Sequence, residues 1–199
     1  MARLDLLVLS LVSTPRETGI LAAAATVAMA PTWLGAYLAP AFTGRILPYS
    51  RTRRLQPFFR GVQWGLLALA VIGTVLGIVA GPTIVAHVLP PEYGATREVV
   101  PVLLAAGAAG FFTFPLVLHT LLFLSPRTYL AMDLISLPVL LMLYVIAARR
   151  AGALGVAWVT AGSAVVKAYV AHAAARAAID REEARYSAVA AFSSAGAVR

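Results

Sequence analysis

The sequence predicts an all-α fold, a polytopic transmembrane bundle of about six helices, by the length a helix needs to cross a bilayer. Three observations predict it. Hydrophobic residues make up 61% of the 199-residue chain and charged residues 12%, against about 45–50% and about 25% in soluble domains. The mean hydropathy is +0.86. The few charges gather in short stretches, and the runs between them are uncharged for longer than a soluble helix tolerates. Such runs must satisfy every backbone polar group internally, as a helix or a closed barrel. Barrel strands alternate apolar with polar residues, whereas these runs are apolar throughout, so helices are expected.

Taken in order, Leu4 to Ser13 is too short to span alone and predicts a truncated or tilted first helix. Thr18 to Thr43 is long enough, with Pro31 and Pro40 as expected kinks. Gly61 to Leu89 carries no Lys, Arg, Asp or Glu and is the clearest span. Val99 to Leu124 follows, with Pro101 and Pro115 inside it. Thr128 to Ala148 carries Asp133. Ala151 to Ala175 carries Lys167 and His172. Residues 1–175 thus form the helix bundle, and residues 176–199 form a charged tail. Asp5, Arg16 and Glu17 interrupt any leader-like apolar core, and the apolar stretch runs on past Ala30, so an uncleaved N-terminal segment is expected.

The net charge of +8 is distributed for a membrane surface. Arg45, Arg51, Arg53, Arg54 and Arg60 crowd one loop between spans, where they contact lipid headgroups and set topology; Arg176, Arg181 and Arg185 follow the last span. Basic loops stay cytoplasmic, which predicts a multi-pass protein of the cytoplasmic (inner) membrane with both termini inside. Arg127 then lies in an inner loop. Arg16, Arg97, Arg149 and Arg150 lie in outer loops, and the Arg149–Arg150 pair runs against the rule. Nucleic acid is not an expected partner, because the arginines flank apolar runs rather than lining a solvated face. Anionic membrane lipids are.

The chain has no cysteine, which removes disulfides, thiolate metal sites and cysteine nucleophiles. It has no phosphate-binding loop, dinucleotide fingerprint, HExxH or GxSxG motif. His87, His119 and His172 fall on different spans. No enzyme activity, cofactor or metal is therefore expected. Ionisable groups within spans remain the candidates for function, because each is costly at the bilayer centre. Lys167 and Asp133 lead, and His119 is weaker; these three form the expected substrate-binding set. The plainer readings are that Lys167 snorkels its stem toward the surface, Asp133 sits at headgroup depth, and His119 bonds a carbonyl. If the two helices face each other, Lys167 and Asp133 pair, offering a cation for a phosphate and a carboxylate that tunes it. Tyr37, Tyr93, Tyr129, Tyr144, Trp33, Trp64 and Trp158 fit an interfacial aromatic belt. Gly73, Gly77 and Gly81, spaced by four, and Gly61 and Gly65 before them, offer small faces for helix packing.

The order of several segments resembles the second half of the oligosaccharide flippases of the multidrug/oligosaccharidyl-lipid/polysaccharide exporter superfamily. Asp5 is followed by Thr18-Gly19-Ile20-Leu21-Ala22-Ala23. A span holding Pro40 leads to the basic loop Arg45–Arg60. Then comes Leu89-Pro90-Pro91-Glu92-Tyr93-Gly94-Ala95, which keeps the family's Tyr and lacks its Phe-Gly. Gly152-Ala153-Leu154-Gly155-Val156-Ala157 resembles the family's G-x-x-G-A-A start of a late helix. The resemblance covers roughly residues 4–175. It implies one lobe of a two-lobe transporter fold, a lipid-linked glycan as substrate, and an N-terminal lobe or a second copy as partner. The expected function is translocation of polysaccharide or lipopolysaccharide precursors. Other exporters of the superfamily, for lipid II or cation-coupled drug export, and a non-transporting membrane assembly subunit are the alternatives.

Overall fold

A computed structural model describes residues 3–29, 37, 55–88, 90–123 and 126–196. Among them the chain is all-helical. Helix α1 covers Leu4–Val12, α2 Pro15–Ala28, α3 Leu55–Val88, α4 Thr96–Phe123 and α5 Pro126–Gly196, with a 3₁₀ turn at Pro91–Tyr93 before α4. The basic-loop residues Arg45, Arg51, Arg53 and Arg54 lie outside the described residues, as does most of the run expected to continue α2 to Thr43. Arg60 falls on α3, but its side chain is outside them too.

The first two helices are set by local chemistry. Helix α1 is nine residues long, about 13 Å at 1.5 Å per residue, and so is too short to cross hydrocarbon, as its sequence predicts. Helix α2 opens with Thr14-Pro15-Arg16-Glu17. Thr14 Oγ1 accepts from the Glu17 N–H at 3.4 Å, and Pro15 supplies a first-turn φ without a wasted donor. Arg3 Nη2 donates to Met29 Sδ at 2.7 Å, so the start of α1 lies beside the end of α2 and the two run antiparallel.

Helix α5 is not one rod. Ala151 (φ −140°, ψ 15°) and Gly152 (φ 56°, ψ −137°) leave helical geometry, dividing it into an arm before them (α5a, 126–150) and an arm after them (α5b, 153–196). Contacts between the arms fix a hairpin. Asp133 meets Lys167, Tyr144 meets Thr160, and the Ala147 carbonyl lies against Gly155. Residue numbers in these pairs sum to nearly the same value, as antiparallel arms require. The expected boundary between Ala148 and Ala151 is thus where the chain turns. The expected boundary at 175/176 falls inside α5b, which continues as helix to Gly196.

Helices α3 and α4 are also antiparallel, with Gly77 against Leu104 and Gly81 against Val100. Two of the three glycines spaced by four therefore serve close approach to α4, while Gly73, Gly61 and Gly65 meet nothing within 4 Å. Tyr93 packs its ring on Gly19, and Glu17 touches the start of α5b. The beginnings of α2, α4 and α5b therefore share one end of the bundle. The apolar core gathers there: Val8 and Leu9 of α1, Ile20, Leu21 and Ala24 of α2, Val85 of α3, Val99 and Val100 of α4, and Ala153, Val156 and Ala157 of α5b are all buried.

Two segments among the described residues are long and apolar enough to cross a membrane: Trp64–His87, and Asp133–Ala174, which contains the hairpin turn. Only 17% and 11% of their most apolar windows are buried within the molecule. A soluble protein would hide such helices in its core. Here Ile72, Leu76 and Val79 on α3, Leu134, Ile135 and Val139 on α5a, and Trp158 and Val166 on α5b face outward. Continuous apolar surface of that kind belongs against lipid or another helix rather than water.

Candidate functional site

The hairpin brings the two leading candidates together. Asp133 sits two turns into α5a, and Lys167 sits about 21 Å along α5b from the turn, at 1.5 Å per residue. Antiparallel arms put these positions level. Lys167 Nζ donates to Asp133 Oδ1 at 2.7 Å, with the two side chains 40% and 36% exposed. The pair is thus half-open at the face of the hairpin. An isolated ammonium or carboxylate at hydrocarbon depth is costly, and pairing offsets part of that cost. Ser136 Oγ donates to the Asp133 carbonyl at 3.1 Å, which ties down the same turn.

A polar seam continues from the pair toward the turn. Thr160, Ser163 and Lys167 recur at helical spacing along the α5b face that meets α5a. Thr160 Oγ1 donates to the Val156 carbonyl at 3.0 Å, which leaves its lone pairs for the Tyr144 hydroxyl at 3.1 Å. Ser163 Oγ donates to the Thr160 carbonyl at 2.9 Å. Tyr144 is only 5% exposed, so it belongs to the seam and not to an interfacial belt. Asp5 of α1 lies within electrostatic range of its hydroxyl.

At the turn, Glu17 Oε2 accepts from the Ala153 N–H at 2.7 Å. The first N–H groups of a helix lack intrahelical partners and carry the positive end of its dipole. A carboxylate from α2 therefore closes the start of α5b. The positive φ at Gly152 favours glycine, and a side-chain carbon there would displace the Glu17 carboxylate. This contact is invisible in sequence, where Glu17 reads only as a charge that interrupts the N-terminal apolar run.

Opposite the seam, a cleft of about 490 Å³ opens between α3, α4 and α5b. Leu67, Ala70, Val71, Thr74 and Val75 line it from α3, Ala105, Ala108 and Ala109 from α4, and Val165, Ala168, Tyr169 and His172 from α5b. Its α5b face is about half a helical turn around from Lys167, so the ion pair does not line it. His119 lies on α4 with its side chain outside the described residues. Among the described residues, no three His, Asp or Glu side chains gather to hold a metal ion.

Comparison with protein-family models, curated proteins and solved structures gives no match. The chain's own geometry therefore carries the functional argument. That geometry can bind an anion at Lys167 if the Asp133 carboxylate yields its place, and it can hold a hydrocarbon chain in the cleft.

Proposed function

We propose that this chain is one lobe of a multi-pass flippase in the cytoplasmic membrane, moving lipid-linked oligosaccharide or polysaccharide precursors by alternating access. The observation that carries the reading is the Lys167–Asp133 pair, whose charges are costly among apolar helices and are half-open at the hairpin face. A transporter lobe needs such a group, because the glycan-phosphate head crosses the bilayer while its lipid tail stays in hydrocarbon. Lys167 contacts the phosphate and Asp133 is its resting counter-ion. The start of α5b at Ala153, just after Gly152, fits the resemblance of residues 152–157 to a late-helix start. The half-open face lies toward a partner, either an N-terminal lobe or a second copy, and the termini lie in the cytoplasm. No catalysis and no cofactor enter this scheme.

The test is surface display of the glycan in cells carrying Lys167→Ala at native abundance. Display falls at least tenfold if Lys167 binds the head, about the value of one charged contact; undiminished display removes it from the mechanism. If the chain instead exports lipid II or drugs, as others of that superfamily do, the same pair would serve another substrate, and substrate-by-substrate complementation separates these readings. One observation favours a second reading, a non-transporting membrane assembly subunit: the described cleft is lined by apolar side chains apart from Thr74, Tyr169 and His172. In that case Lys167→Ala leaves display intact but reduces recovery of a membrane complex.

A further inference from the structure

The cleft between α3, α4 and α5b has a length, a lining and a polar end that match one kind of molecule. Along α3 it runs from Leu67 to Val75, and along α5b from Val165 to His172. At 1.5 Å per residue these stretches are about 10–12 Å long. A neighbouring helix crossing the bilayer would lie along about 30 Å, whereas one leaflet contributes about half that thickness. The cleft is therefore too short to seat a spanning helix and about right for a chain within one leaflet. Alanines from all three helices (Ala70, Ala105, Ala108, Ala109 and Ala168) leave the space that larger side chains would fill.

Of the cleft's polar lining residues, Tyr169 and His172 lie together at one end and the Thr74 hydroxyl lies toward the other. Tyr93 on Gly19 and Glu17 on Ala153 place the starts of α4 and α5b at the same end of the bundle. From there α5b runs outward past Val165 and Ala168 to Tyr169 and His172, and α3, antiparallel to α4, presents Leu67 and then Trp64 at that outer end. Trp64 is 63% exposed, as an interfacial anchor is. Arg176 is one turn beyond His172 on the same helix face, within electrostatic range of its ring. Asp180 follows a further turn out, about 6 Å past Arg176, so Arg176 is the first charge beyond the outer end of the cleft along α5b.

Resting on the membrane-spanning reading of α3 and α5, we propose that this cleft binds an acyl chain of an anionic phospholipid from one leaflet, with its phosphate held at Tyr169, His172 and Arg176. This site is separate from the Lys167–Asp133 pair, which occupies the other face of α5b. It stabilises the open half of the bundle, beyond the main buried cluster.

The experiment uses the full chain purified in a mild detergent. Native mass spectrometry counts retained lipid, and thermal unfolding is followed with added phosphatidylglycerol, phosphatidylcholine or inorganic phosphate. One phosphatidylglycerol per chain is expected to survive, with a raised Tm that neither of the other two reproduces. Arg176→Gln lowers phosphatidylglycerol retention about fivefold, the value of one basic residue near an anionic surface, and leaves phosphatidylcholine unchanged. Ala168→Phe fills the cleft and abolishes retention, and Ala108→Leu is the milder variant should the first unfold. Three results overturn the site: retention unchanged in both filling variants, a Tm rise with phosphate alone, or a dimer that the filling variants dissociate, which would make a second copy the occupant. Release of the chain from membranes by alkaline carbonate would instead overturn the membrane reading itself, whereas carbonate-resistant chain without selective lipid removes only this site.

Discussion

Lys167 and Asp133 show how a residue type can be read from sequence before its geometry is known. Both stand out because charge is rare in such runs, and the spacing of the two runs allows but does not require a contact. What decides it is the turn at Ala151 and Gly152, which sets the two arms level. A double-mutant cycle measures the result. With more than a third of each side chain open, the coupling is expected near the exposed-pair end of the scale, about 1 kcal/mol. Asp133→Ala and Lys167→Ala should each lower the Tm in detergent, and the double variant should lose less than the two together. Strict additivity would mean that the contact contributes nothing to folding. Glu17 and Gly152 were not legible in the same way. Glu17 reads as a charge interrupting the N-terminal apolar run, and only the folded chain carries its carboxylate to a helix more than a hundred positions away. Gly152→Ala is expected to cost about 1–3 kcal/mol for the positive-φ backbone, plus the displacement of Glu17. In a Glu17→Ala background the same substitution should cost only the backbone part. Equal costs in the two backgrounds would dissolve the link between these residues.

At the scale of elements, hydropathy located the helices and left their pairing open. Gly61 to Leu89 and Val99 to Leu124 correspond closely to α3 and α4, because uncharged length is a property of one segment alone. Packing faces are a property of two. The glycines at 73, 77 and 81 look equivalent in sequence, yet only the latter two meet α4. Likewise Tyr144 has the composition of an interfacial residue and the position of a buried one, hydrogen-bonded across the hairpin. Close backbone approach at the turn gives a sharp test. A side-chain carbon on Gly155 would lie 2.6 Å from the Ala147 carbonyl oxygen, and backbone cannot move aside as a side-chain tip can. Gly155→Ala should therefore destabilise the chain by about 1–3 kcal/mol, while Gly73→Ala, with open space around it, should be neutral or slightly stabilising through helix propensity. Thermal unfolding of both variants in one detergent compares them directly. If they behaved alike, the hairpin register would be wrong.

For the molecule as a whole, the contacts divide the exposed arginines between two ends, and that division is testable without knowing the substrate. Glu17 on Ala153, Tyr93 on Gly19 and the turn at Gly152 gather the segments bearing Arg16, Arg97, Arg149 and Arg150 at the packed end. Arg127, at the start of α5a, and Arg176, well along α5b, fall at the other. Sequence alone reached the same division by counting spans, but charge left it contested, since Arg149–Arg150 is as basic as many cytoplasmic loops. The structure supplies a physical reason for this pair to sit at the packed end: the tip of a helical hairpin goes wherever its two arms are held, and the core of α1, α2 and α4 holds them there. Because the chain contains no cysteine, single substitutions such as Arg16→Cys, Arg97→Cys, Arg149→Cys, Arg127→Cys and Arg176→Cys each report one position cleanly. Labelling with a membrane-impermeant maleimide, in intact cells and then in inverted vesicles, should sort the first three into one accessibility class and the last two into the other. With both termini inside, the first class is the one labelled from outside the cell; the reverse assignment would keep the fold and invert the topology. A mixed result, with Arg149→Cys reacting alongside Arg127→Cys, would mean that the hairpin does not cross the bilayer, and the proposed lobe would fail with it.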